Sequence, residues 1–514
     1  MKYPIGLQDF ASIINEGFVY VDKTDLIFDL INNYKYVFLS RPRRFGKSLL
    51  LSTIRYFFEG RKDLFVSLKI NSLEKEWLQH PVFLLALSRV NANSPISLAN
   101  GLDNEFSIWE NQLDISPKNS DLAFRFSNII RKAATITGRK VVILIDEYDN
   151  PLINSIEDQT IYQNNRDLLK SIYSNLKDLD EYIRFALITG VSRFSNVSIF
   201  SGLNNVQDIS FSDKFSSICG FTIEDINTYL HEGVEEFAES TTTNYEEVFN
   251  LLKLEYDGYH FSKNLTDVFN PFSLLNALNN REILNYWIRS GVPGFLINKI
   301  NSSKKDYQSI FNASADDFSL AESDTSFSKP IALLFQTGYL TIKGYDKVYK
   351  EFHLGFPNRE VKKGLLMALL DNYSESNTSA NARLLRDMAE ALLKGEPENF
   401  LNILKSVLAT ISYQLHGKFS ELDFERTLFV ILHLLGLEVN VEVATSHGRI
   451  DMTVKTSQFI YLMEFKLDSS AEAAMKQIIE KEYDLQWRID HRKIYLIGIG
   501  FSSSTRNISD WIIN

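Results

Sequence analysis

The stretch Arg41-Pro42-Arg43-Arg44-Phe45-Gly46-Lys47-Ser48 sets a glycine, a lysine and a hydroxyl side by side, directly after the apolar run Tyr36 to Leu39. It opens a helical pattern, Leu49 to Phe57. In this context backbone N–H groups and the helix N-terminus converge on an anion. Lys47 would reach the β- and γ-phosphates of ATP, and Ser48 would hold Mg²⁺. Phe45 and Gly46 belong to the same cradle, while Arg43 and Arg44 either neutralise phosphate charge or stand in solvent. Arg41 occupies the place where the general pattern has its first glycine, and Pro42 fixes a turn there by its own restricted φ.

About 100 residues on, Val141 to Ile145 form a five-residue apolar strand that ends in Asp146 and Glu147. Ligand sites in parallel sheets lie at the carboxyl ends of strands. Asp146 is therefore expected to position Mg²⁺ and Glu147 to orient the attacking water. The plainer alternative is a solvated acidic turn, with Asp149 capping the next helix. A third strand end, Leu187 to Arg193, offers Thr189 or Ser192 as a sensor of the γ-phosphate and Arg193 as a contact to it; ordinary turn residues would look the same.

A second constellation lies near the C-terminus. Gly448 to Val454 and Phe459 to Leu467 read as strands, and the short polar link Lys455 to Gln458 makes them a hairpin. Side chains alternate along a strand, so Glu464 and Lys466 share a face while Phe465 points to the other. The hairpin brings Asp451 against Glu464, where carboxylate oxygens suit Mg²⁺. Such an ion polarises a phosphodiester, with Lys466 orienting water or stabilising developing charge. That chemistry is hydrolysis of a nucleic-acid backbone. Glu421 or Glu425, four apart on an upstream helix from about Ser420 to Leu435, could add a further acid.

The elements that must position these groups are legible as periodicity. Strand-sized runs at Tyr36 to Leu39, Val82 to Leu87, Val141 to Ile145 and Phe185 to Ile188 alternate with helical patterns, as a parallel sheet with crossover helices requires. From Phe221 the texture turns helical, and Thr222-Ile223-Glu224-Asp225 resembles a capping box. One strand pair, Gly338 to Lys343 and Tyr349 to Leu354, gives that region a winged-helix-like end. The polar stretch Tyr373 to Asn381 is the boundary candidate for a third domain. The expected organisation is α/β: a P-loop domain over 1–220, a helical lid and winged-helix-like region over 221–372, and a restriction-endonuclease-like domain over 382–514.

Several segments together resemble the bacterial AAA-ATPase-like proteins that carry a C-terminal PD-(D/E)xK nuclease-like domain. They are Tyr3-Pro4-Ile5-Gly6, Tyr20-Val21-Asp22-Lys23-Thr24, the loop from Arg41 to Ser48, Ile145 to Asp149, Tyr256-Asp257-Gly258-Tyr259, Asn270-Pro271-Phe272-Ser273 and Gly338-Tyr339-Leu340-Thr341. The resemblance implies an ATPase core of the additional-strand type followed by a lid, and in that family the loop itself reads Arg-Pro-Arg-Arg-Phe-Gly-Lys. Asp451, Glu464 and Lys466 fall on the three nuclease motif positions, with Arg449-Ile450-Asp451 replacing a literal Pro-Asp. Gln477 and Tyr483, on the expected helix Ala471 to Tyr483, resemble a pattern that follows this motif in related nucleases. The Tyr256 and Asn270 segments suggest core or turn roles.

Composition bounds the rest. The chain has 514 residues, 45% hydrophobic and 23% charged, with a net charge of −11 that disfavours a general nucleic-acid coat or an anionic membrane surface. Residues 401–514 carry 12 basic and 14 acidic side chains, so the tail is the least repulsive part for a polyanion. Cys219 is the single cysteine, which excludes an intramolecular disulfide framework and reads as a small buried residue. The start lacks the apolar core of a secretory signal, and no stretch approaches the ~20 apolar residues of a membrane span. The expectation is a cytoplasmic ATPase fused to a Mg²⁺-dependent nuclease-like domain, acting on nucleic acid with DNA favoured over RNA. Its rival is a nucleotide-gated binding or signalling module whose nuclease-like domain does not cut.

Overall fold

In the computed structural model the described residues are all but 91, 93, 95, 117–119, 194–204, 289–291, 304–306, 322–329, 374–377, 410–420 and 446. Two compact units emerge: 1–291 with 312–361, and 292–311 with 362–514. The region expected as a lid thus contributes residues to both. Among the described residues no helix is long and apolar enough to cross a membrane.

The first unit is built on a five-stranded sheet of β1 (Tyr36–Ser40), β2 (Val82–Ala86), β3 (Val141–Asp146), β4 (Ile183–Gly190) and β5 (Gln207–Asp208), in the order β2-β3-β4-β1-β5. All its pairings are parallel. Every residue of β1 and β3 is buried. Helices cover both faces of such a sheet, which is why these strands read as unbroken apolar runs. β4 lies between β1 and β3, the inserted strand that the family resemblance implies. Helices Lys47–Phe58, Leu122–Thr137 and Gln159–Asp178 make the crossovers.

Beyond the sheet, Thr222 and Asp225 form the expected capping box: Asp225 N donates to Thr222 Oγ1 (3.2 Å) and Thr222 N to Asp225 Oδ2 (2.7 Å). A helical core follows, in which Leu252, Tyr256, Phe269, Leu274 and Tyr286 pack with Tyr3. A small antiparallel sheet of β6 (Ser314–Asp316), β7 (Thr341–Asp346) and β8 (Glu351–Gly355), ordered β6-β8-β7, closes this unit. It contains the expected strand pair plus one further strand.

The second unit carries a mixed sheet of β9 (Glu438–Thr445), β10 (Gly448–Lys455), β11 (Phe459–Leu467), β12 (Lys493–Ser502) and β13 (Asn507–Ile513), arranged β13-β12-β11-β10-β9. β10 and β11 are the expected hairpin, with Met452 opposite Met463 and Lys455 opposite Ile460. β11 and β12 run parallel, joined through helix Ala471–Glu480. That helix and the sheet enclose Ile450, Ile460, Leu462, Met475, Ile478 and Tyr483. Both units are α/β, as the sequence pattern requires. The boundary stretch 373–381 falls partly on 374–377, outside the described residues. The backbones of Glu421 and Glu425 lie in helix Glu421–Leu434, but their side chains are likewise outside the description.

Candidate functional site

The loop after β1 turns sharply into helix Lys47–Phe58 through Gly46, whose φ of 92° only glycine adopts without strain. Arg41 does not face this turn. It is almost fully buried, and its guanidinium donates to the carbonyls of Ser40 (2.8 Å), Ser210 (2.9 Å) and Phe215 (3.1 Å) while stacking 4.2 Å from the Phe261 ring. Where the general pattern keeps a glycine, this chain uses an arginine to pin the strand's exit to the segment after β5.

The expected partners converge behind the loop. Ser48 Oγ donates to Asp146 Oδ2 at 2.5 Å, across 98 residues of sequence. Thr189 Oγ1, from β4, donates to Asp146 Oδ1 at 2.7 Å. Lys47 Nζ donates to the Arg41 and Pro42 carbonyls at 2.9 and 3.0 Å. Burial lowers its pKa, and the nearby Asp146, Glu147 and Asp149 charges oppose that shift. Glu147 takes a left-handed backbone, φ 52°. Burial raises its carboxyl, with Asp146 and Asp149 adding to the effect against Lys47.

Asp149 holds no solvated cap. Fully buried, it accepts from Val191 N (3.0 Å), Ser192 N (2.6 Å) and Ser192 Oγ, and so ties the end of β4 to the turn after β3. Ser192 is thereby committed to Asp149. Arg193 pairs with Asp208 (2.7 Å) and Asp317 (3.1 Å) and stacks on Phe211 (4.1 Å). Of the three groups considered as sensors, only Thr189 joins the loop's network, through Asp146.

In front of the loop lies a cleft of about 540 Å³, lined by Arg43, Arg44, Phe45, Gly46, Lys47, Ser48 and Glu147. Such a volume suits a nucleotide-sized ligand. Its remaining walls come from residues with no chemical signature in the sequence: Pro4 to Gln8, Lys23, Phe272 and Asn276. The family-like segments Tyr3 to Gly6, Tyr20 to Thr24 and Asn270 to Ser273 mark Pro4 to Gly6, Lys23 and Phe272; Leu7, Gln8 and Asn276 carry no such mark. Asn270 caps the helix that bears Phe272, accepting from Ser273 N at 3.1 Å. Cys219 is buried, as expected, and also borders the cleft.

The second site rests on the β10–β11 hairpin. Glu464 is 1% exposed, and its Oε1 accepts from Lys466 Nζ (3.0 Å) and from Gln477 Nε2. Gln477 Nε2 also reaches Tyr483 Oη (3.1 Å). Asp451 N points to Glu464 Oε2 (3.4 Å), and Asp451 Oδ2 accepts from Phe465 N (2.8 Å). Asp451, Phe465 and Lys466 border a niche of about 70 Å³ closed by Phe424 and Phe501. All three expected residues are therefore together, and Gln477 and Tyr483 form a layer behind Glu464. Burial raises the Glu464 carboxyl, and the adjacent Asp451 charge raises it further, against Lys466. Two neighbouring carboxylates supply the hard oxygen donors that a divalent cation takes. Ser48 and Asp146 offer the same hard-oxygen chemistry beside the first site. Among the described residues, no group of three or more His, Cys, Asp or Glu side chains is placed to hold a metal.

Comparison with known proteins accords with this division. Residues 4–200 match the family model for a predicted AAA-ATPase, and residues 420–511 match that of the PD-(D/E)XK nuclease superfamily. An Azotobacter chroococcum mcd 1 protein, "Uncharacterized protein in vnfD 5'region", is 33% identical over 522 residues, spanning 100% of this chain and 98% of the relative. The chain belongs to the family of predicted AAA-ATPases that carry a C-terminal PD-(D/E)XK nuclease-like domain.

Proposed function

We propose that this protein is a cytoplasmic ATPase whose nucleotide cycle governs a Mg²⁺-dependent nuclease acting on DNA. The observation that carries the nucleotide half is the 2.5 Å contact between Ser48 and Asp146, which joins the two halves of a phosphate-and-metal site from distant parts of the chain. Lys47 and the Arg43 to Ser48 amides hold the triphosphate, and Ser48 with Asp146 would hold Mg²⁺. Glu147, its pKa raised by burial, orients the attacking water and takes up its proton.

In the nuclease half Asp451 and Glu464 would hold the metal, which supplies charge neutralisation at the phosphodiester and a more acidic water. Lys466, paired with Glu464, orients the attacking water or stabilises the charge that develops on the phosphoryl oxygens as the alkoxide leaves. Gln477 orients Glu464 from behind. Support comes from the acidic pair and lysine meeting on one hairpin within a domain of the nuclease superfamily.

The test is an assay of ATP hydrolysis and of cleavage of single-stranded DNA, duplex DNA and RNA, with Mg²⁺, comparing the native protein with Lys47→Ala and Asp451→Ala. Lys47→Ala should lower ATP turnover at least about 100-fold, and Asp451→Ala should lower cleavage by a similar factor while sparing ATP turnover. ATP turnover with no cleavage of any substrate would favour the non-cutting module. Cleavage unaffected by Asp451→Ala would remove the assigned site.

A further inference from the structure

We infer that Trp287 is a positioning residue for the phosphate loop, shaping its backbone from outside where the chain lacks the usual first glycine; the inference rests on the loop's role as a nucleotide site.

Each residue from Arg41 to Phe45 is held by residues from 259–287 or 338–360, stretches that belong to the same compact unit as the loop. Arg41 lies on the Phe261 ring at 4.2 Å, and Arg44 lies on Phe272 at 4.8 Å. Pro42 packs against Gly338, where φ is +88° and an added Cβ would stand 2.6 Å from the proline Cβ. Phe45 meets Tyr259 and Phe261 edge-on, at 4.8 and 5.3 Å. Arg43 is held differently. Its carbonyl accepts a hydrogen bond from Trp287 Nε1 at 3.2 Å, a directional contact to the loop backbone across 244 residues.

Trp287 is itself fixed at both ends. Its ring packs 5.1 Å from Tyr339, and its backbone N–H donates to Glu360 Oε1 at 2.6 Å. Glu360 is buried, and its other oxygen accepts from Ser273 Oγ at 2.7 Å. Ser273 sits in the first turn of the helix whose neighbouring Phe272 supports Arg44. A closed relay therefore runs Arg43, Trp287, Glu360, Ser273, Phe272, Arg44, and it grips two consecutive loop residues.

That grip has a physical purpose at Arg44. It adopts φ 69°, a left-handed backbone that a non-glycine residue holds only when its surroundings impose it. Glycine-rich phosphate loops reach their tight form through intrinsic freedom, whereas this one is moulded by its neighbours. Loss of the indole N–H should let the Arg43–Arg44 peptide relax and misdirect the amides that receive phosphate. The effect falls on binding of the phosphate chain rather than on the chemistry at Glu147.

Trp287→Phe tests this in the full chain, because phenylalanine keeps the packing on Tyr339 and removes only the donor. Binding of inorganic tripolyphosphate and of a non-hydrolysable ATP analogue is measured, with KM and kcat for MgATP. Both affinities should weaken about tenfold, and KM should rise to match, while kcat changes less than about threefold. The native protein's tryptophan emission should shift on binding tripolyphosphate, and the variant should lose that shift. Unchanged KM and unchanged tripolyphosphate affinity in Trp287→Phe would overturn the inference, as would a persisting emission shift. Should that variant fail to fold, Glu360→Gln, which preserves volume and loosens the relay one step back, must raise KM several-fold at constant kcat; native KM there would overturn it equally. If the native protein bound neither tripolyphosphate nor the ATP analogue, the nucleotide reading itself would fall, and the positioning role with it.

Discussion

The two candidate sites are assembled by opposite strategies. At the phosphate loop, each oxygen of Asp146 accepts from a hydroxyl, Ser48 in the first turn of the loop's helix and Thr189 at the end of β4, and Asp149 accepts from two amides and a hydroxyl. Buried charge there is matched with donors, as a stable interior requires. At the hairpin, Glu464 accepts from Lys466, from Gln477 and from the Asp451 backbone, and Asp451 accepts from the Phe465 backbone. Burial raises both carboxyls, but the Ser192 donors oppose the shift at Asp149, whereas the Asp451 charge adds to it at Glu464.

The sharpest way to break that contrast is at Asp149. Replacing it with alanine leaves the Val191 and Ser192 amides buried without an acceptor, and each orphaned donor costs about 1–3 kcal/mol. The expected loss is about 3 kcal/mol, read as a fall of several degrees in the thermal midpoint of the P-loop unit. Asp149→Asn keeps one acceptor oxygen and should recover at least half of that loss. If Asp149→Ala melted like the native protein, the claim that this acid is structural would be wrong.

Glu464→Gln should do the reverse. The folded-state pKa of Glu464 lies above its unfolded value, chiefly through burial and then through Asp451. A carboxyl shifted upward contributes stability that is fully present below its unfolded pKa and is lost as pH rises through the folded pKa. At neutral pH the charged form is therefore a liability, and the neutral amide should raise stability by about 1 kcal/mol in EDTA. The variant's advantage should shrink toward pH 4, and added Mg²⁺ should stabilise the native protein but not Glu464→Gln. A destabilised Glu464→Gln in EDTA would show that this pair is a scaffold like the other.

How much of each site could be read in advance follows from the same contrast. The hairpin is local: thirteen residues separate Asp451 from Glu464, and alternation along two strands suffices to place them. The Ser48–Asp146 meeting was also legible, because a glycine-lysine-serine turn and an apolar strand ending in acids imply each other. The parallel sheet was legible for a similar reason, since its strands are continuous apolar runs. What escaped were pairings that leave no period or spacing. Arg41 stands where the general pattern has a glycine, and its role as a buried tie to Ser210 and Phe215 left no mark in the sequence. Ser192 and Arg193 could be read equally as phosphate contacts or turn residues, and their partners are Asp149 and Asp208. Trp287 lies 244 residues from the loop it touches, and nothing in its neighbourhood marks it. Side-chain partners brought together by tertiary packing are invisible to a reading built on periodicity.

The smallest expected effect refines the hairpin site. Tyr483 is fully buried, and its hydroxyl meets the amide nitrogen that also approaches Glu464. The hydroxyl thus holds Gln477 in the orientation that sets the Glu464 carboxylate, an indirect role of the kind that tunes metal ligands. Tyr483→Phe keeps the ring among Ile450, Ile478 and Met475, so stability should change by no more than about 1 kcal/mol. Cleavage should nevertheless fall about tenfold, with the loss visible as a higher Mg²⁺ requirement. If the site were simply a solvated acidic pair, neither quantity would move, because a group that never touches the metal or the substrate would have nothing to orient.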